Sequence, residues 1–259
     1  HQRPELIHVH HSMLWDFAAK CGLPTVLHIH VLQARLNALR GVENTLSATA
    51  QKEAILAADA VVCPSRAVYD ELVEVRPDIR IVGQGINSPS TLISRQATPM
   101  QIAYVGRFAD IKGTREFIDA MQQVISNYPD IRICIAGGLP DNARSEKRWL
   151  AQLETDLPSA QFLGWLDADE LRSFYQRTHV VVVPSWYETF GLSALEAMSH
   201  GVSVVAADCP ALTELITHNE DGLLFPSRNT QALYSAISTL INSPTLAHEL
   251  GLRAAAKIR

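Results

Sequence analysis

Two short stretches of the sequence hold most of its capacity for chemistry. In AYVGRFADIKGTREFI an apolar run ends at Gly106-Arg107, and a short loop carries Lys112-Gly113 to the start of a helical pattern near Thr114. Two cations and a free helix N-terminus meeting at the carboxyl end of a strand make a site for a polyanion, most naturally a diphosphate. The loop is not a Walker A loop, because the G-x-x-x-x-G-K-[ST] spacing is absent. Without further context the same residues read equally well as a solvated Arg and Lys flanking a helix.

The second stretch is PSWYETFGLSALEAMSHG, residues 184–201, with glutamates at 188 and 196. Glu188 falls in the loop after the apolar run HVVVVPS, and FGLSALEAMSHG reads as a helix closed by Gly201. Glycine at 191 removes a side chain where a ligand can approach the backbone, and the helix start offers unpaired N–H groups. A glycosidase acid/base pair needs carboxylates roughly 5–9.5 Å apart. Eight residues of continuous helix span about 12 Å, so the spacing suits one extended ligand held at two points. The bland alternative makes Glu196 a surface helix residue and Glu188 a charge that stabilises a helix N-terminus.

Histidines mark two further strand ends: His8, His10 and His11 in IHVHH, and His28 and His30 in LHIH. Alternate strand residues share a face, so His28 and His30 point the same way. A metal site is one reading of them, but no acidic or cysteine partner stands at useful spacing, so none is expected. His8 and His28 read as packed or hydrogen-bonded inside. His10, His11 and His30 lie where parallel sheets place their ligands.

The elements that position these residues alternate along the chain. Strand-like runs occur at LIHVH, TVLHIH, AVVC and IRIV, then at QIAYVG, IRICIAG, AQFLG, VVVVPS, VSVVAA and GLLFP. Amphipathic stretches lie between them. TREFIDAMQQVISNY, for example, sets Phe117, Ile118, Met121, Val124 and Ile125 on one face. Short all-apolar strands separated by helices predict parallel sheets covered on both sides, an α/β doubly wound architecture. GQGINSPSTLISRQATP, residues 83–99, reads as an interdomain linker. The expected domains are therefore 1–96, with four strands and incomplete, and 97–259, with six strands and lacking its final helices. A strand starts within a few residues of His1 and the last residues stop inside a helical pattern, so a segment of a longer chain is expected.

Composition sets the bounds. The 259 residues are 47% hydrophobic and 19% charged, with a net charge of −5. That balance fits a globular protein and argues against a platform for nucleic acid or an anionic membrane. Cysteines at 21, 63, 134 and 209 form no C-x-x-C and no metal-ligand spacing. Cys63 and Cys134 sit in apolar runs as small hydrophobes. Reduced thiols and a cytoplasmic location are expected, leaving room for peripheral contact at the inner membrane face. No apolar run reaches the roughly 18 residues of a membrane span.

VGRFADIKG followed by PSWYETFGLSALEAMSHGVSVVAAD resembles the carboxyl-terminal domain of the retaining GT-B glycosyltransferases of family 4. The upstream run PELIHVHH…GLPTVLHIH…AADAVVCPS…IRIVGQGIN resembles the later part of their amino-terminal domain. The most specific element is the E-x7-E spacing in ETFGLSALEA, supported by Gly-Arg and Lys-Gly upstream. The resemblance implies two Rossmann-like domains, the first incomplete here. It also implies transfer of a hexose-type sugar from a nucleotide-diphosphate sugar to a glycan, glycolipid or small-molecule acceptor, with no metal and no other cofactor.

Roles follow by resemblance. Arg107 and Lys112 would neutralise the donor diphosphate beside Gly106. Glu188 would bind hydroxyls of the transferred sugar. Phe190, Gly191 and Leu192 would offer backbone N–H groups, and Glu196 would hold the ribose. Leu163, Gly164 and Trp165 would flank the base, with Gly137 and Gly138 bordering the same crevice. His30 matches a histidine that reaches the donor sugar from the opposite domain. Departures are CPALTEL where a glycine pair is common, so Cys209, Pro210 and Ala211 reshape the floor beneath the sugar, and Asn87 in place of a usual aspartate. The first domain's glycine-rich loop is not in this sequence. Two alternatives stand beside the transferase: a non-catalytic nucleotide-sugar-binding or scaffold subunit, and another GT-B enzyme such as a sugar-nucleotide epimerase.

Overall fold

A computed structural model describes residues 4–42, 45–92, 99–138 and 144–259, and divides the chain into two compact units, His1–Gly85 and Ile86–Arg259. That division falls inside the expected linker, earlier than the break expected after residue 96. Linker residues 93–98 lie outside the described residues.

The first unit holds four parallel strands in the order β1 (Ile7–Val9), β2 (Thr25–His28), β3 (Ala60–Cys63) and β4 (Arg80–Ile81). Its helices are α1 (Trp15–Ala19), α2 (Gln33–Leu39), α3 (Leu46–Ala57) and α4 (Arg66–Leu72). Leu27, Ile29, Val61 and Cys63 fill the core beneath the strands. The starts of β2 and β3 are pinned by Asp59, whose Oδ2 accepts from the Thr25 N–H at 2.7 Å and the Thr25 hydroxyl at 2.9 Å. These hydrogen bonds hold the Asp59 carboxyl below its ordinary range. The Arg76 guanidinium donates to the carbonyls of Ile55 and Ala58, satisfying the C-terminal end of α3.

The second unit carries β5 (Gln101–Gly106), β6 (Arg132–Gly137), β7 (Gln161–Gly164), β8 (Val180–Val183), β9 (Ser203–Ala207) and β10 (Leu223–Phe225). All are parallel, in the spatial order β10-β9-β8-β5-β6-β7. The chain winds outward in one direction from β5 to β7, then returns to pair β8 with the other side of β5. The sheet therefore switches direction between β5 and β8, and open α/β sheets bind ligands at the carboxyl ends flanking such a switch. The helices are α5 (Thr114–Asn127), α6 (Arg144–Asp156), α7 (Ala168–Arg177), α8 (Leu192–Ser199), α9 (Pro210–Leu215), α10 (Thr230–Asn242) and α11 (Pro244–Ile258).

Strand alternation splits the unit's interior into two cores. Ile102, Tyr104, Ile133, Ile135, Val180 and Val182 meet Phe117, Met121 and Val124 of α5 and Leu233 and Ile237 of α10. On the other face Ala103, Cys134, Val181 and Val204 meet Phe174 and Tyr175 of α7, Met198 of α8 and Leu212 of α9. The small residues on this second face let α8 lie close over the strands. Both faces of the central strands are covered, which is why they read as unbroken apolar runs.

Two glycines at the carboxyl ends are demanded for different reasons, Gly137 by close backbone approach and Gly164 by its left-handed backbone alone. Gly137 has φ of 137°, and a Cβ there would stand 1.9 Å from the Gly106 carbonyl oxygen. Gly164 has φ of 65° with nothing within 4 Å of such a Cβ. Gly137→Ala is therefore expected to lower the unfolding free energy by about 3 kcal/mol or more. Gly164→Ala, strained only by its left-handed backbone, should lower it by about 1–2 kcal/mol. Denaturant unfolding of the two variants checks the ranking, and equal losses would contradict it.

Candidate functional site

The loop after β5 is built to hold a cation in place. The Tyr104 hydroxyl donates to the Arg107 carbonyl at 2.7 Å, and the Thr114 hydroxyl oxygen accepts from the Ala109 N–H at 2.9 Å. A 3-10 turn, Asp110–Lys112, then delivers Lys112, and Gly113 at φ of 67° starts α5. A Cβ on Gly113 would lie 2.1 Å from the Pro184 carbonyl oxygen, so the loops after β5 and β8 touch backbone to backbone. The Trp186 N–H adds a bond to the Ile111 carbonyl at 2.9 Å.

Across this contact Lys112 Nζ donates to Glu188 Oε1 at 2.7 Å, with 24% and 12% of the two side chains exposed. A charge-assisted bond this short and this shielded fixes both groups at the switch point. The loop bearing Glu188 is braced in turn. The Trp186 indole N–H donates to Glu116 Oε1 at 2.8 Å, and the Arg228 guanidinium lies 4.0 Å above the Trp186 ring.

The two helices that begin here, α5 and α8, have glycine N-caps and no side-chain cap. By contrast, Asp167 caps α7 in a capping box and Asn229 caps α10. Uncapped N-termini of helices this long leave N–H groups and positive dipole ends facing the switch point.

Gly191 departs from its expected reason. Its φ is 90°, and a Cβ would meet Leu212 Cδ2 of α9 at 2.7 Å, so glycine is required by packing and backbone conformation. Cys209, at the N-cap of α9, is buried next to this loop. Burial pushes its thiol up to about 11, with the Glu188 carboxylate adding to the rise and Lys112 opposing it. Cys209 thus stays protonated beside the Lys112–Glu188 pair.

Glu196 is held differently. Its Oε2 accepts from the Tyr175 hydroxyl of α7 at 3.1 Å. Desolvation raises the Glu196 carboxyl above its ordinary range, partly offset by the Tyr175 hydrogen bond. The same burial, then the Glu196 charge, drives the Tyr175 phenol well up. Of the remaining predicted residues, Gly106, Arg107, Gly137, Gly138 and residues 163–165 stand at the carboxyl ends of β5 to β7. Gly106 faces Gly137 in register, and the Gly138 N–H donates to the Gly106 carbonyl at 3.2 Å. Leu163 is half-buried, Gly164 is exposed and Trp165 is 62% exposed. Phe190 is half-buried and Leu192 exposed at the start of α8. Arg107 is exposed at the end of β5 and, like Glu196, stands outside the Lys112–Glu188 pair. Tyr175, Trp186 and Leu212 were not legible as site residues, since each acts on a residue from another part of the chain.

In the first unit His30 is half-buried and hydrogen-bonded to His10, with His10 Nδ1 and His30 Nε2 2.8 Å apart. His28 and His30 share a face as expected, their rings stacked at 4.1 Å. His8 differs from expectation: it is exposed, because β1 leaves that face of the strand open. Its ring stacks on His28 at 5.6 Å.

Two parallel α/β sheets, with a paired cation and acid at the switch point of the second, define the class of the GT-B glycosyltransferases. A sequence model described as Glycosyl transferases group 1 matches residues 99–243, and one described as Glycosyltransferase Family 4 matches residues 1–88. The chain belongs to the glycosyl transferases of group 1. It is 25% identical to glycogen synthase of Mycobacterium tuberculosis over 95% of this chain and 62% of that protein. It is 27% identical to D-inositol 3-phosphate glycosyltransferase of Corynebacterium diphtheriae over 98% of this chain and 66% of that one. The chain thus spans less than two thirds of the length of either relative. Among solved structures, sucrose-phosphate synthase from Thermosynechococcus elongatus superposes with a TM-score of 0.87 at 24% identity, covering 98% of this chain and 68% of that one. Anabaena Alr3699/HepE, solved in complex with UDP-glucose, superposes at 0.80 and 21% identity over 98% and 73%. These likenesses establish the fold.

The raised Glu196 carboxyl has a stability consequence. A folded-state value above the unfolded one stabilises the fold fully at low pH, and that contribution is lost as pH rises through the folded value. Glu196→Gln keeps an oxygen for Tyr175 and removes the buried charge. The variant is expected to gain stability over wild type between acid and neutral pH, with no gain below the unfolded carboxylate range near about 4.3. Urea unfolding at acidic and neutral pH measures this, and a pH-independent difference would rule it out.

Proposed function

We propose that this chain carries the donor site of a retaining glycosyltransferase that moves a hexose-type sugar from a nucleotide-diphosphate sugar to a glycan, glycolipid or small-molecule acceptor, without a metal. The observation that carries the reading is the Lys112–Glu188 pair between two uncapped helix N-termini at the sheet's switch point. An ammonium has three donors. One serves Glu188, leaving two for diphosphate oxygens, and the second Glu188 oxygen is left for a sugar hydroxyl. Arg107 joins Lys112 on the diphosphate, with Gly106, Gly137 and Gly138 letting the backbone approach. Phe190, Gly191 and Leu192 present N–H groups from the start of α8, Glu196 takes the ribose hydroxyls, and Leu163, Gly164 and Trp165 border the base.

As the glycosidic bond breaks, negative charge grows on the nucleoside diphosphate. Fixed cations and helix N-termini aimed at that charge stabilise it without reorganising. Retention follows from attack on the face the leaving group departs, with the leaving phosphate helping to deprotonate the acceptor, so no protein nucleophile is assigned. The names of relatives, glycogen synthase and D-inositol 3-phosphate glycosyltransferase, and the UDP-glucose bound by the Anabaena protein support a nucleotide-sugar donor. We place the activity in the cytoplasm, in keeping with four free cysteines. Among the described residues no helix is long and apolar enough to cross a membrane. Nucleic acid is not a partner in this reading.

Lys112→Ala and Glu188→Gln in the complete protein are each expected to lower turnover by about tenfold or more. Wild-type turnover in both variants overturns the assignment. Thermal shift with a panel of nucleoside diphosphates and their sugars reads donor binding separately, because a bound ligand stabilises the fold by mass action. Binding without transfer in the complete protein would favour the non-catalytic subunit.

A further inference from the structure

The histidines of the first unit form a cluster that the transferase reading does not use, apart from His30. β1 and β2 run parallel in a register that sets His8 against Val26, and the next same-face residue, His10, continues that register opposite His28. Strand alternation then puts His8, His10, His28 and His30 on one face, at the carboxyl ends of two neighbouring strands. One ring nitrogen from each of His8, His10 and His28 lies within 4.8 Å of the other two.

We infer that His8, His10 and His28 form a site for a divalent transition-metal cation of the zinc class. Three imidazoles are a complement that zinc accepts while keeping a fourth position open. Nitrogens at about 2.0–2.1 Å from a tetrahedral metal lie roughly 3.3 Å from one another. Rotation of the exposed His8 ring, with His10 held by its bond to His30, is what would close the separation to that value.

Two observations support the site. His28 Nε2 is buried with no hydrogen-bond partner among the described residues, a state that costs free energy unless something fills it. The contact between His10 Nδ1 and His30 Nε2 at 2.8 Å is of the kind that orients metal-bound imidazoles. In the tautomer with Nδ1 of His10 as donor, its Nε2 is unprotonated and able to ligate.

Imidazole donors without thiolate or carboxylate suit Zn2+, Ni2+ and Cu2+ over Mg2+ or Ca2+. The cluster is contained in the first unit, and nothing in the inference depends on the identity of the donor or on transfer itself. His30 is a positioning residue here, acting through His10.

The test is calorimetric titration of the full chain with Zn2+ alone, with Mg2+ as comparison and Co2+ absorption as a report of geometry. One equivalent of Zn2+ is expected to bind saturably, Mg2+ not at all, and Co2+ to give the intense visible bands of a four-coordinate site. His8→Ala, His10→Ala and His28→Gln should each weaken Zn2+ by about tenfold or more, and His30→Ala by about tenfold through loss of the orienting bond. His248→Ala, at an exposed position on α11, should change nothing. His8 and His10 are exposed, so their variants keep the test open if His28→Gln fails to fold. Absence of a saturable equivalent in the wild-type chain overturns the inference. So does Zn2+ uptake that is unchanged in the His8→Ala/His10→Ala double variant.

Discussion

The chain's chemistry depends on one steric contact, the abutment of the loop after β5 against the loop after β8. Glycine at 113 is needed because the Pro184 carbonyl occupies the place of its Cβ. That closeness, with the Trp186 N–H bonded to the Ile111 carbonyl, brings Lys112 and Glu188 to 2.7 Å although they are far apart in sequence. Neither loop could adopt this position alone. It follows from a parallel sheet that reverses direction between β5 and β8 and leaves two strand ends side by side with no helix crossing between them.

The two glutamates of the E-x7-E spacing sit in different environments. Glu188 has a cationic partner and a partly open position, which suits a carboxylate that exchanges hydrogen bonds with a ligand. Glu196 is paired with a neutral hydroxyl from α7 and is desolvated, so its charge is disfavoured in the absence of ligand. Hydroxyl donors from a bound sugar ring would compensate this desolvation, and binding energy at Glu196 would then come partly from relief of an existing penalty. The α9 segment links these environments. Cys209 lies against the Lys112–Glu188 pair, and Leu212 fills the space beside Gly191 where α8 begins.

The first unit uses the same β-sheet geometry for a different collection of groups. Alternation along two adjacent parallel strands stacks imidazoles, and burial first, then the neighbouring rings, lowers His8, His28 and His30. An isolated histidine on a strand face would titrate in the ordinary range. Burial and contact move His8, His28 and His30 below it, and this property belongs to the pair of strands.

Much of the architecture could be read from residues alone. Among the described residues all ten strands stand where short apolar runs bounded by glycine, proline and polar residues put them, and the helical face of Phe117, Met121 and Val124 is the buried one. Local pattern suffices there because burial on both faces requires apolar residues at every strand position, and a helix packed on one side needs them at helical spacing. The candidate site was legible as loops and residue types: Gly106-Arg107, Lys112-Gly113, Glu188 and Glu196. What only the tertiary structure decided was partnership. That Lys112 meets Glu188, that Glu196 meets Tyr175, and that Gly191 is glycine because of Leu212 are consequences of strand order and helix packing. The exposure of His8 depends likewise on what covers the face of β1. Hydrophobic periodicity encodes which side of an element is buried, whereas such contacts depend on which elements become neighbours, and the energies that choose neighbours are distributed over the whole core.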